Sequence, residues 1–311
     1  MYFEFLIFLY ICIFVYFYNT FFIINREMAK TKISLNQNTC KEFKLLDFIG
    51  QAKRFDGVEL DFIKIKDALD KKTTLKEVME LSEVYDLEIT SLFSLKDFSL
   101  CSEREYKIRI LPIFNQMIEY CTKLECDILI VRPSIVETSS NGKTIPQWRI
   151  VNRTAKRLED LSKKAIKRDI KIGFEYFPSF DCSIPTLNDA KEVLNQLESR
   201  ENVGYVIDTF SLAKNNLDFN ELHSIKEMIW LVQVSDIKYE SIDELPGIVE
   251  SDRIFPGEGV FNWKDFVYLL QKLRFRGKYS LELSKKQCPK KSYKRIYSLV
   301  NGTISDYWRT S

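Results

Sequence analysis

Eight short apolar runs rich in β-branched residues alternate along this chain with amphipathic, Lys/Glu-rich stretches. The runs predict strands at 32–36, 57–61, 87–91, 127–132, 170–177, 203–209, 229–235 and 278–283. Between them, stretches such as LLDFIGQAKRF and TAKRLEDLSKKAIKR carry apolar residues near the 3.6 spacing of a helix. Strands that alternate with helices predict βα units and a parallel sheet. Eight such repeats in about 280 residues match the size of a (β/α)8 TIM barrel. An open doubly wound sheet is the rival fold. It normally carries a Gly-rich phosphate turn after an early strand, and neither GxGxxG nor GxxxxGK occurs here. No low-complexity linker interrupts the pattern, so 28–311 reads as a single domain. Two long connections, 133–147 and 238–259, fall on the active face of such a barrel and are candidate lids.

Ahead of the repeats, residues 5–24 are almost wholly apolar and aromatic. At about 1.5 Å per residue the run can cross a hydrocarbon core of roughly 30 Å. Arg26, Lys30 and Lys32 would then hold the remainder on the cytoplasmic side. The competing reading is an over-extended start, with Met28 as the initiator. The domain division is therefore a hydrophobic segment at 1–27 and a barrel at 28–311. The barrel is expected in the cytoplasm, alone or as the cytoplasmic part of a single-pass protein.

Composition narrows the chemistry. The net charge is +2 with acids and lysines interspersed, so bulk charge argues for no nucleic-acid partner. Membrane contact is expected only through residues 5–24, and homo-oligomerisation is left open. The seven cysteines form no CxxC and read as reduced thiols. Cys40 and Cys182 fall near predicted strand ends and read as buried small hydrophobes. The only histidine, His223, lies in NELHSIKEM and reads as a surface or helix-packing residue. Sites that need several histidines are excluded, as is any Ser-His-Asp relay without His223.

Four polar residues stand late in apolar strands: Glu175 in KIGFEYF, Asp208 in VGYVIDTF, Gln233 in WLVQVSD and Glu282 in YSLELS. A polar group shielded from water needs a partner. In a barrel these four come from consecutive strands and meet at the C-terminal rim, where active sites lie. Three carboxylates and a carboxamide are oxygen ligands and suit one hard divalent ion, Mn2+ or Mg2+. Such an ion can stabilise an enediolate. Glu175 and Glu282 can flank a small sugar-like substrate as base and acid. Arg253, in a loop shaped by Pro256, Gly257 and Gly259, is a candidate contact for a substrate carboxylate, phosphate or hydroxyl. Arg132 and Glu59 are further substrate-binding candidates. Glu59 and Asp61 end the second strand, one expected in the pocket and the other in the helix layer.

Together these segments resemble the xylose isomerase-like barrel family of sugar phosphate isomerases and epimerases. ISLNQNT resembles the family's first strand and FDGVELD its second. GFEYFP, VGYVIDTFSLAK and SLELS resemble the segments that carry metal ligands at Glu175, Asp208 and Glu282. LVQVSD followed by RIFPGEG is most similar to the dehydroshikimate dehydratase and hydroxypyruvate isomerase-like branches, which implies that Gln233 is a ligand. Two positions depart from the pattern. Ser211 stands where the family has a histidine, and IVESD lacks the branch's Ser-Arg-His cluster. The resemblance implies a divalent-metal-dependent sugar or sugar-phosphate isomerase or epimerase. The alternatives are a lyase that dehydrates a cyclic polyol or keto acid, and a catalytically silent sugar-binding barrel.

Overall fold

The computed structural model describes residues 32–136, 145–283 and 292–300, with side chains of the last stretch given for 294–298. The apolar run 5–24, Cys12 and Cys288 lie outside the described residues. Among the described residues no helix is long and apolar enough to cross a membrane.

Eight parallel strands close into a barrel in sequence order. They are β1 Ile33–Asn36, β2 Gly57–Asp61, β3 Glu88–Leu95, β4 Ile128–Val131, β5 Lys171–Phe174, β6 Val203–Asp208, β7 Ile229–Val234 and β8 Lys278–Leu281. Each lies within an expected run or overlaps it. β3 runs four residues past its expected end, because Leu92 and Leu95 still pair with Leu129 and Val131 of β4. β5 stops earlier. Glu175 makes one more bond, its N–H donating to Val131 O at 3.1 Å, before the chain leaves the sheet.

Strand periodicity sorts the side chains into two layers. Along β4, Leu129 and Val131 face the helices, while Ile128 and Ile130 join Phe93, Val206 and Leu231 inside the barrel. That interior is tight: a Cβ on Gly173 would sit 2.6 Å from Val206 Cγ2. The N-terminal end is closed by charges, Lys32 pairing with Glu88 at 2.7 Å and Lys171 with Asp127 at 3.0 Å. Lys278 reaches both acids.

The helices follow from amphipathic spacing and from caps. α1 Leu45–Gln51 follows β1, and α2 Phe62–Asp70 and α3 Leu75–Val84 follow β2. α3 opens on a capping box in which Thr74 and Glu77 bond each other's backbone. α4 Leu111–Lys123 is entered through a π-helical turn, Tyr106–Ile110. α5 Gln147–Ala165 buries Ile150, Val151, Leu158 and Leu161 along one stripe. α6 Leu187–Asn195, α7 Thr209–Lys214, α8 Trp263–Lys272 and α9 Ser292–Val300 complete the outer layer. The segment holding His223 is a 3-10 helix, Phe219–Met228, and the histidine is exposed, as expected.

Candidate active site

The C-terminal strand ends surround a cleft of about 280 Å³. Glu175, Gln233 and Glu282 line it, with Arg132 and Glu250 on the same side of the ring. Asn36, Asn38 and Asp61 line it from β1 and β2. Three of the four strand-end residues expected to converge therefore share one cleft. Asp208 is 1% exposed and is not part of the cleft wall.

Glu175 is 5% exposed, and its Oε1 lies 3.4 Å from Arg132 Nε. Burial pushes its carboxyl up to about 8, and the nearby Glu282, Asp208 and Glu250 carboxylates add to burial against the pull of Arg132. The Arg132 guanidinium stacks 4.2 Å above the Phe177 ring and meets Glu250 at 3.5 Å. Burial opposes ionisation of Glu250, yet Arg132, Arg253, Lys96 and Lys41 together hold its carboxyl below the usual range. Glu282 Oε1 accepts from Asn38 Nδ2 at 2.8 Å, and its Oε2 lies 3.8 Å from Arg253 Nη2.

Glu59 does not line the cleft, so its expected role as a substrate contact is corrected. It is fully buried below the cleft, where Asn36 Nδ2 donates to Oε1 at 3.1 Å and Ser91 Oγ to Oε2 at 2.6 Å. Burial pushes its carboxyl up, only partly offset by Ser280, Ser91 and Asn36. Glu59 and Asp61 are two apart on one strand and so share a face rather than dividing between pocket and helix layer. What separates them is depth. Asp61 reaches the rim, where its carboxylate caps α2 by accepting from Ile63 N at 2.8 Å.

Gln233 Nε2 points to Glu59, 3.4 Å from Oε1. Its carbonyl Oε1 is buried and has no hydrogen-bond partner. A buried amide oxygen without a partner can accept from a donor or ligate a cation.

Asp208 caps α7 by accepting from Phe210 N at 3.0 Å. Arg253 grips the same carboxylate with both arms, Nη1 to Oδ1 at 2.8 Å and Nη2 to Oδ2 at 2.6 Å. The Arg253 guanidinium lies 4.4 Å over the Phe210 ring, and Nη1 also donates to Ser235 Oγ at 2.9 Å. Arg253 is thus brought to the strand-end cluster, but as the partner of Asp208 and not as part of the cleft wall. Ser211 donates its hydroxyl to Asp208 Oδ2 at 3.3 Å.

Asp236 fixes the loop that carries Arg253. Its carboxylate accepts from the N–H groups of Ile237, Gly257 and Phe261 and from Trp263 Nε1, all at 2.9–3.0 Å. Its backbone pairs in both directions with Ile254 at 2.9 Å. A Cβ on Gly259 would lie 2.0 Å from Ile237 O, so only glycine allows this approach. The connection expected as a second lid is in this part a clamped platform. Of the first, 133–147, residues 137–144 lie outside the described residues.

Among the described residues, no three His, Cys, Asp or Glu side chains form a ligand group. Glu175, Gln233 and Glu282 still fit a hard cation as an oxygen set facing one cleft, the Gln233 carbonyl being buried with no protein hydrogen-bond partner. Sequence reasoning missed Asn38 and Glu250. Asn38 was legible in part, since it follows β1 at the rim. Glu250 carried no signal beyond its place in a long loop.

Comparison with known proteins places this architecture. The family described as "Xylose isomerase-like TIM barrel" matches residues 49–298. An inosose isomerase of Bacillus velezensis is 23% identical over 249 residues, 80% of this chain and 84% of the relative. A 3-dehydroshikimate dehydratase of Pseudomonas aeruginosa is 25% identical over 75% of this chain and 34% of its own length. Among solved structures, IOLI protein with a binding zinc atom superposes with a TM-score of 0.74 at 22% identity, covering 89% of this chain and 98% of that one.

Proposed function

This chain belongs to the xylose isomerase-like TIM barrel family, and on that premise we propose that it is an isomerase or epimerase of a small sugar-like hydroxyketone. One observation carries the reading: two carboxyl groups, Glu175 and Glu282, face one cleft in unlike surroundings. Two carboxyl groups on one cleft can serve as acid and base. Glu175, whose carboxyl burial pushes up to about 8 when no cation is bound, is the group we assign as the acid. Glu282, oriented by the Asn38 amide, takes the proton from the carbon next to the substrate carbonyl. The C–H electron pair moves into an enediolate. Return of a proton to the neighbouring carbon gives the isomer, and return to the opposite face of the same carbon gives the epimer. Arg132, held over Phe177, orients substrate oxygens at the rim.

Glu175, Gln233 and Glu282 would hold one divalent cation, for which we favour Mn2+ or Mg2+. When bound, such an ion supplies positive charge that favours the enediolate. The inosose isomerase relative supports a cyclic polyol ketone as substrate. Cys101, Cys121, Cys126 and Cys182 without disulfides support a reducing, cytoplasmic setting.

A second reading, a lyase, is favoured by the dehydratase relative: the same base would expel a β-hydroxyl as water. The test is to incubate inosose and related hydroxyketones in D2O with Mn2+. Deuterium at the carbon beside the carbonyl without loss of water supports isomerisation. Unsaturated product without exchange supports the lyase. Glu175→Gln and Glu282→Gln are each expected to lower turnover by about 10²–10⁴-fold with the fold retained. Full activity in either variant sinks the mechanism.

A further inference from the structure

Three cations stand across the cleft from Glu175 and Gln233, and the proposed reaction leaves them unused. We propose that Lys41, Lys96 and Arg109 form an anion subsite, so that the hydroxyketone carries a phosphate or carboxylate group at the end remote from its carbonyl. The inference deepens the reading of the cleft as a hydroxyketone site and rests on it.

Topology sets the two ends of the cleft apart. Glu175 directly follows β5, and Gln233 lies on β7. In a closed ring of eight strands taken in sequence order, β1 lies across from β5 and β3 across from β7. Lys41 closes the 3-10 turn that follows β1, and Lys96 is the residue after the last of β3. Arg109 sits in the π-helical turn Tyr106–Ile110 that leads into α4. Such turns are rare and recur at functional sites. All three side chains line the cleft and are exposed. A substrate whose carbonyl end lies against Glu175, Gln233 and Glu282 therefore points its far end toward them.

The charge on this side is not already neutralised. Arg132, also in the cleft wall, is committed to Glu175 at 3.4 Å and to Glu250 at 3.5 Å. Lys41, Lys96 and Arg109 form no ion pair among the described residues. Lys41 and Lys96 act on Glu250 only through space. Two acids share their side, Asp61 and Asp97. Asp61 is occupied in capping α2, accepting from Ile63 N at 2.8 Å, which leaves Asp97 against the three cations. A phosphate or carboxylate brought here meets two ammonium groups and a guanidinium fork, the donor types that hold such anions.

The remaining wall on this side is apolar. Ile63, Ile110 and Ile113 line it, and Ile63 is 59% exposed. The C–H groups of a carbon skeleton lie against such a wall without stranding a polar group. Oxygen ligands at one end, hydrocarbon beside the other and free cations at its mouth match a hydroxyketone that ends in an anion.

The test has two arms, both on the full chain. In one, the metal-free protein is titrated with inorganic phosphate at low ionic strength and followed by 31P linewidth. Saturable binding is expected, and Lys96→Gln combined with Arg109→Gln should weaken it by at least about tenfold, since bonds to charged groups are the strong ones. Lys76→Gln combined with Lys123→Gln removes the same charge outside the cleft wall and should leave phosphate binding in place. No saturable binding by wild type, or equal loss in the two pairs, overturns the inference.

In the other arm, the Mn2+-loaded chain in D2O receives D-fructose, D-fructose 6-phosphate and D-fructuronate, which differ only in the group at the far end. Exchange beside the carbonyl should be at least about tenfold more efficient in kcat/KM for an anionic member than for D-fructose. The phosphate ester leads if the subsite takes a phosphate, and fructuronate leads if it takes a carboxylate. Replacing Lys96 and Arg109 together should narrow that gap through KM and not through kcat, as expected for a group that binds without reacting. Exchange as efficient with D-fructose as with both anionic members overturns the subsite and leaves the hydroxyketone reading standing. Exchange with none of the three, with phosphate binding intact, counts against the hydroxyketone reading and leaves the subsite standing.

Discussion

Replacing Arg253 by methionine keeps most of the side-chain volume and removes the charge. Two charge-assisted bonds to Asp208, at 2.8 and 2.6 Å, disappear, together with the stacking on Phe210. Asp208 keeps only Phe210 N and Ser211 Oγ, and it stays buried. Breaking a buried pair from one side costs about 3–5 kcal/mol, because the remaining charge is uncompensated. At about 2.1 cal/mol/K of unfolding entropy per residue over roughly 250 residues, the melting temperature should fall by roughly 6–10 °C. Equilibrium urea denaturation at pH 7 measures the loss directly, with an unchanged slope expected. Adding Asp208→Asn should restore most of the stability, since a buried ion pair exchanged for neutral groups is often close to neutral. Two results would refute the reasoning: Arg253→Met within about 1 kcal/mol of wild type, or a double variant no more stable than the single.

The raised Glu175 carboxyl makes stability of the metal-free protein depend on pH. The folded chain holds this proton up to about 8 and the unfolded chain releases it near 4.5, so stability from this group is full below 4.5 and lost as pH rises through 8. Urea midpoints should decline across that window, and Glu175→Gln should flatten the decline. Gly259→Ala forces a Cβ to within 2.3 Å of Asp236 Oδ1; turnover is expected to fall at least tenfold, while Gly247→Ala, with nothing within 4 Å, should stay within about 0.5 kcal/mol of wild type by denaturation. Mn2+ at 100 times its Kd should stabilise the chain by about 2.7 kcal/mol, with chelator reversing the shift in melting temperature.

Strand positions were legible because burial on both faces leaves little choice of residue. β2, β4, β6 and β7 are apolar runs whose pairing repeats the order in which they occur. Period two also brought Glu175, Gln233 and Glu282 to the rim, since the side chains of a barrel strand alternate between interior and helix layer. Depth along a strand is less legible. Glu59 and Asp61 share a face, yet one is sealed among Asn36, Ser91 and Gln233 while the other caps a helix. That difference depends on how far neighbouring strands extend beside them, which no local pattern records.

Arg253 shows what sequence periodicity omits. The Pro256, Gly257 and Gly259 spacing identified a shaped loop, and Gly257 does take a left-handed φ of 83°. A shaped loop fixes where an arginine's Cα sits but leaves the side chain several acceptors within reach. Here the choice falls on Asp208 because its two oxygens match a planar guanidinium and Phe210 provides a face to stack on. Lysine at this position would keep the charge while losing one arm and the stacking, so it would hold Asp208 less firmly. The residue type therefore matters more than the charge. Strand-end patterns cannot record that choice, because the partner of Asp208 comes from a loop 45 residues further along the chain.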